Sequence, residues 1–267
     1  RISALSELLE ASERESINKA LNRIIENAAE LFSKPGDIVL LIQTILGLSI
    51  RGHLVKKRDS DGNAEEIYSI GEMPKNEYPF ELPSGWIWTR LSNIASINGG
   101  YAFNSSNYST EGRRVVRISD FNEVGFKDNN IVRHSYEQIH EKYTLSENNI
   151  LIAMSGGTVG KSSIIKTIPE PMMVNQRVAT IKVNNDFSAD YIYIVIKSNL
   201  IQDIIERVKN STNDNISMKD IKKFTIPIPP LDLQNRIVQR VDELITTCYQ
   251  LNAKLETKLK TYQKMIK

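Results

Sequence analysis

Residues 231–267 carry the pattern that leaves this chain the least choice of structure. Val241, Leu244, Cys248, Leu251, Leu255, Tyr262 and Met265 follow alternating steps of three and four, with Lys258 in the one gap. Four heptads of this kind line apolar side chains along one seam of a long helix, as in a coiled-coil arm. Pro227, Pro229 and Pro230 set its start, since proline lacks the N–H that an interior helical turn needs. These seven residues are the candidate partner-helix surface. Over 254–267, five lysines stand against one glutamate.

Two further zones separate by composition. Residues 1–58 read as an N-terminal helical segment. Leu5, Leu8, Leu9, Ile17, Leu21, Ile24, Ile25, Ala28, Leu31 and Phe32 recur at helical spacing until Pro35-Gly36 breaks the run. A second helix over about 37–51 is apolar on most sides, which predicts burial against another element. Asp37 is placed to cap it. Residues 59–80 read as a linker. Residues 81–226 read as a β-rich domain with one or two helices. Strands are expected at 86–91, 115–118, 150–154, 163–165 and 178–183, and a helix at 189–210. The fold class is therefore α+β, a β-rich domain flanked by an N-terminal helical segment and a long C-terminal coiled-coil helix.

Composition excludes several classes. Cys248 stands alone, so no intrachain disulfide can form, and a reducing cytoplasm is the expected location. The apolar stretch 38–42 is too short to cross a bilayer and too deep for a signal peptide, so no membrane association is expected. A formal net charge of +2 does not announce a nucleic-acid binder. Any basic footprint must be local.

Most catalytic motifs fail on spacing. Gly156-Gly157-Thr158-Val159-Gly160-Lys161-Ser162 resembles a phosphate loop, but Gly156 and Gly160 have only three residues between them, and the following segment looks extended. A glycine-rich turn is the simpler account. A base methyltransferase needs an Asn/Asp-Pro-Pro-aromatic motif, whereas Pro229-Pro230 lies between Ile228 and Leu231. Asp220-Ile221-Lys222 is an isolated acid-x-Lys fragment without a second carboxylate for a metal, and reads as a helix start. His53, His134, His140 and Cys248 have no metal-ligand spacing, and the histidines are expected at the surface. No catalytic residue, metal ligand or cofactor site is assigned to the chain.

The loops offer more. They combine flexible backbone, amide side chains and isolated positive charge. Asn and Gln can pair with adenine and Arg with guanine, while lysines and backbone N–H groups hold phosphates. On this ground the candidate DNA-binding residues are Tyr101, Asn104, Ser105, Arg113, Arg114, Arg117, Ser155, Thr158, Lys161, Asn175, Arg177, Lys209, Asn213 and Asn215. Two rival readings remain: a coiled-coil adaptor that does not touch DNA, and a nucleotide-binding enzyme using the Gly156–Lys161 loop.

Several segments, in order, resemble the specificity subunit of type I restriction–modification systems. They are Ile45-Leu46-Gly47-Leu48-Ser49-Ile50-Arg51-Gly52-His53-Leu54-Val55, Pro79-Phe80-Glu81-Leu82-Pro83-Ser84-Gly85-Trp86, the 150–161 turn, Asn175-Gln176-Arg177-Val178-Ala179, Ile216-Ser217-Met218-Lys219-Asp220-Ile221 and Ile226-Pro227-Ile228-Pro229-Pro230-Leu231. His53 stands where that family usually has lysine, and Leu233-Gln234 where it prefers Glu-Gln. The resemblance implies a target-recognition domain at 81–226 and a non-catalytic chain that reads half of a split site in double-stranded DNA. It implies modification (methyltransferase) subunits as partners and a restriction subunit reached through the complex. S-adenosylmethionine and ATP would belong to those partners. The chain has room for one recognition domain, as a half-subunit or the first half of a longer one. Self-association of two copies through 231–267 is the accompanying expectation.

Overall fold

The computed structural model describes residues 14–27, 32, 35–71, 73–211 and 214–265. Leu5, Leu8, Leu9, Ala28 and Leu31 of the predicted first helix lie outside them. Helix α1 spans Arg14–Glu26 and buries Ile17, Leu21 and Ile24. Helix α2 spans Pro35–Ile50. It begins at Pro35, so Asp37 sits inside the first turn rather than ahead of it. Proline suits that first position because its missing N–H would have no helical partner. Ile38, Leu41, Ile45 and Leu46 of α2 are buried, while Val39 and Leu40 are exposed. Gly52, at φ +74°, ends the helix, and the His53 N–H donates to the Leu48 carbonyl at 3.0 Å. Glycine tolerates that left-handed turn. A Cβ there would also meet Pro83 Cγ at 2.6 Å.

The 59–80 stretch holds short helical turns, among them α3 (Ala64–Ile67). Strand β1 (Ile87–Arg90) then pairs antiparallel with the distant β11 (Thr225–Ile228), Trp88 facing Pro227. In a two-stranded sheet proline's missing N–H breaks no inner ladder. This pairing brings the two ends of the middle region together. Expected alternation at 86–91 is absent, because β1 is covered on both sides: Ile87, Trp88 and Thr89 are all buried.

One turn, α4 (Leu91–Ile94), leads to β2 (Ala95–Gly99). The remaining strands are β3 (Arg113–Val116), β4 (Phe121–Asn122), β5 (Gly125–Phe126), β6 (Arg133–His134), β7 (Ile150–Ala153), β8 (Ser162–Ile164), β9 (Met172–Val174) and β10 (Val178–Val183). They form an antiparallel sheet in the order β2-β10-β7-β8, a sheet β6-β3-β9 with β3 and β9 parallel, and the β4–β5 hairpin. The expected helix at 189–210 is two helices, α5 (Ala189–Lys197) and α6 (Asn199–Ser211). Ser198 breaks the run. Its backbone is extended, and its carbonyl accepts from Ile201 and Gln202 N–H groups at the start of α6. Helix α7 (Met218–Lys222) opens on a capping box in which Ser217 and Asp220 bond each other's backbone, so Asp220 is a helix-start residue.

Helix α8 (Leu231–Met265) is the predicted long helix. Its seam is used inside the chain. Leu233, Ile237, Val241, Leu244, Cys248 and Leu255 are buried, and α8 lies along α2 and α5. This corrects the expectation that the seam stands free for a second copy: α2, apolar on several sides, already covers it. Leu251 is half-buried in the same cluster. The side chains of Tyr262 and Met265 lie outside the described ones. Gln234 is fully buried at the root of α8, its amide donating to the Pro229 carbonyl (2.8 Å) and its oxygen accepting from the Ser188 N–H (2.9 Å). Arg236 donates twice to Asp61, at 2.9 and 2.7 Å. That bond ties the 59–80 stretch to the helix and holds the Asp61 carboxyl below the usual carboxylate range. One apolar core runs from Ile17 to Leu255, and a second lies under β3, β7 and β9.

Candidate nucleic-acid interface

Three segments far apart in sequence meet at the end of β7. The Met154 N–H donates to the Arg177 carbonyl, Ile216 N–H to the Met154 carbonyl, and Gly156 N–H to the Asp214 carbonyl, each at 2.9 Å. Ser155 and Asn215 form an antiparallel bridge. From below, Asn175 N–H donates to the Val116 carbonyl and Gln176 N–H to the Tyr101 carbonyl, both at 2.9 Å. The result is an open cleft of about 480 Å³ lined by Met154, Ser155, Gly156, Gln176, Arg177, Asn215 and Ile216. Its position is fixed by these backbone bonds together with Ile216 and Met154, which pack into the main apolar core.

Of the predicted site residues, the cleft unites Ser155, Arg177 and Asn215. Gln176 joins them, and the sequence signal for it was its place beside Arg177 in a polar loop. Asn175 stands behind, its Oδ1 accepting from the Arg177 N–H and its Nδ2 near the Tyr108 hydroxyl at 3.4 Å. Thr158 follows in the next turn. Among the described residues, Ser155 Oγ and Thr158 Oγ1 are buried without a hydrogen-bond partner. Lys209 lies near Glu206 at 3.5 Å, and its carbonyl accepts from the Asp214 N–H. Asn213 lies outside the described residues. Val174, two residues before Gln176, lines a second polar cleft of about 260 Å³ with Asn98, Lys142 and Lys182. Neither lysine was singled out from the sequence, where each is one charge among many.

Lys161 is a correction. Its Nζ donates to the Ile118 carbonyl at 2.6 Å and lies 5.1 Å from the centre of the Phe121 ring. Burial, helped by nearby Lys127, lowers its pKa. It ties a loop down and does not stand out to meet a phosphate. The false phosphate loop is a hairpin turn into β8. Gly160, at φ +82°, lets α6 approach, and a Cβ there would meet Ile205 Cγ2 at 2.7 Å.

The arginines around β3 are committed within the fold. Arg114 is 2% exposed, with Nη1 donating to Asp128 at 2.9 Å, which corrects its expected place at a DNA surface. From β3, which is covered on both faces, it holds the 126–128 segment, its Nη2 donating to the Lys127 carbonyl. Arg117 clamps Asp120 with two bonds of 2.8 and 2.9 Å and also donates to the Asn130 carbonyl. The Asp120 bond raises its pKa. Arg113 lies over the Tyr136 ring, 3.5 Å from its centre, and 3.9 Å from Glu141.

His134 and His140 are likewise corrected from surface to core, at 7% and 1% exposed. Their rings meet edge-on at 5.7 Å, and Tyr101 and Phe103 pack against His140 at 4.8 and 5.1 Å. His134 is on strand β6, and the fold brings it against His140. Tyr101 therefore belongs to an aromatic cluster. Asn104 accepts from the Ser106 N–H to cap a short turn, and Ser105 is exposed within it. Among the described residues, no group of His, Cys, Asp or Glu could hold a metal ion, and no helix is long and apolar enough to cross a membrane.

The chain thus combines a mixed domain whose loops converge on a polar cleft with a long helix packed beside it. The family profile described as the type I restriction modification DNA specificity domain matches residues 83–261, and the chain belongs to that family. Among curated relatives, the type I restriction enzyme EcoAI specificity subunit of Escherichia coli is 29% identical over 283 aligned residues, covering 96% of this chain and 48% of the relative. The EcoEI specificity subunit of Escherichia coli is 23% identical over 288, with the same coverages. The chain thus spans about half the length of the curated relatives it matches. The crystal structure of the HsdS subunit from Thermoanaerobacter tengcongensis shares the fold at TM-score 0.59 and 19% identity, covering 96% of this chain and 55% of that one. A chain from a structural study of type I R-M complex assembly and conformational transition matches at TM-score 0.64 and 19% identity, covering 94% and 54%.

Proposed function

We propose that this chain reads duplex DNA and directs separate modification and restriction subunits to a target site. Family membership supports the reading. The observation that carries it is the cleft at Ser155, Gln176, Arg177 and Asn215, where four hydrogen-bonding side chains stand on a braced backbone. In this role the chain performs no chemistry itself. S-adenosylmethionine and ATP belong to the partner subunits, and the complex works in the cytoplasm with its DNA. Pairing of two copies through 231–267 is part of the proposal, with one constraint. Because α2 covers the buried seam, a second copy would dock on the outer face of α8 or on its last turns.

Duplex binding at varied salt tests the proposal. Log affinity should fall linearly with log salt as phosphate counterions are released. Affinity that is independent of salt and of DNA sequence, for the chain and for its assembled complex, would reject it.

A further inference from the structure

Among the described residues, the arginines of the 81–226 domain divide into those used by the fold, Arg207 bonding the Asp203 carbonyl among them, and one held apart from it. Arg90 bonds Glu77 and Arg133 bonds Glu170. Arg113, Arg114 and Arg117 are engaged as described above. Arg177 differs. Its side chain is exposed beside the cleft, and no described residue bonds its guanidinium.

Its backbone, by contrast, is held firmly. The Arg177 carbonyl accepts from Met154, and its N–H donates to Asn175 Oδ1. Gln176 on one side is bonded to Tyr101, and Val178 on the other donates to the Asn175 carbonyl. A turn bonded to three neighbouring segments starts the side chain from a fixed point. A phosphate contact needs only charge within reach, but base reading needs a donor in a set position. Arginine's planar fork donates two parallel bonds to guanine O6 and N7 in the major groove, where a lysine reaches the same atoms with a single ammonium and without that fixed geometry.

Resting on the proposal that the chain reads DNA, we propose that Arg177 specifies a guanine in the target by donating both ends of its guanidinium to O6 and N7. Arg113, Arg114 and Arg117 hold the fold and select no base.

The test is selection from a randomised duplex library by the full protein with its assembled subunits. Wild type is run beside Arg177→Ala, Arg177→Lys and Arg113→Ala. Arg177 is exposed, so its variants should melt with wild type. The wild type should select a motif containing a guanine at which Arg177→Ala accepts any base, with a preference about ten- to a hundredfold weaker at that position alone. Arg177→Lys should keep overall affinity and weaken the same preference, though less than Arg177→Ala does. Arg113→Ala should select the wild-type motif. A guanine-free wild-type motif would overturn the assignment. So would an Arg177→Ala motif unchanged at every position, or binding weakened evenly across the motif, as loss of a phosphate contact gives. If the wild type selects no motif, the DNA-reading proposal itself fails.

Discussion

The seam of α8 and the cleft at Arg177 are both built from segments distant in sequence, but by different forces. At the seam, apolar side chains from α2, α5 and α8 exclude water, and the backbone bonds stay within each helix. At the cleft, the backbone bonds run between segments, and the Gln176 and Arg177 side chains are exposed. Such an arrangement separates stability from recognition. Side chains can change at the cleft without disturbing the bonds that hold it, whereas almost any polar change at the seam removes core.

The largest expected effect is therefore at the seam. Val241 is fully buried, and Val241→Asp would place a carboxylate among apolar neighbours. We expect a loss of about 4 kcal/mol or more, read as loss of a cooperative thermal transition. The Cys248 thiol reports the same region. It is fully buried and pushed up to about 11, so thiol reagents should be excluded from wild type and admitted by the variant. A Val241→Asp protein that melts with wild type would show that the seam is not the stabilising region.

Asp61 and Arg236 are the polar lock on that region, and their expected effect is smaller. The folded-state pKa of Asp61 is depressed. Its contribution is therefore complete above the ordinary carboxylate value of about 3.9, and is lost as pH falls through the lowered folded value. Asp61→Asn should cost about 3 kcal/mol at neutral pH because it leaves Arg236 unpaired. It should also flatten the acid limb of the melting-temperature profile below about pH 4. An acid limb as steep as that of wild type would remove Asp61 from the lock.

The two regions also differ in how far they were legible. The steps of three and four along 241–255 encode the long helix directly, since that spacing lines the apolar side chains along one helical face. What the steps do not encode is the partner, and α2 within the chain takes the place expected for a second copy. Ser198 hid the break between α5 and α6, because apolar spacing continues across it. At the cleft, Asn175-Gln176-Arg177 was visible as a polar loop, but its bracing comes from Tyr101, Met154 and Val116, which no local pattern joins to it. Charge misled most where it was densest. Arg114 is buried on β3, a strand covered on both faces, and a buried arginine reads in sequence like an exposed one. His134 and His140, six apart, meet only through the fold.

Gly100 gives the smallest of the three expected stability effects and separates the two regions most cleanly. It lies where β2 passes beneath the 174–176 turn, and its N–H donates to the Val178 carbonyl at 3.1 Å. A Cβ there would meet the Val174 carbonyl oxygen at 2.2 Å and that of Asn175 at 2.3 Å. Both are backbone atoms of the turn that carries Arg177, so they cannot swing aside as a side-chain tip would. Gly100→Ala should cost about 1–3 kcal/mol as the turn is pushed outward. The α8 seam is untouched, so Cys248 should stay protected from thiol reagents. Sequence selection should nonetheless weaken, because the fixed starting point of Arg177 is displaced while its charge remains. If selection persists unchanged beside a measurable loss of stability, the backbone bracing does not position the reading side chain, and the contrast between the two regions fails on the side of the cleft.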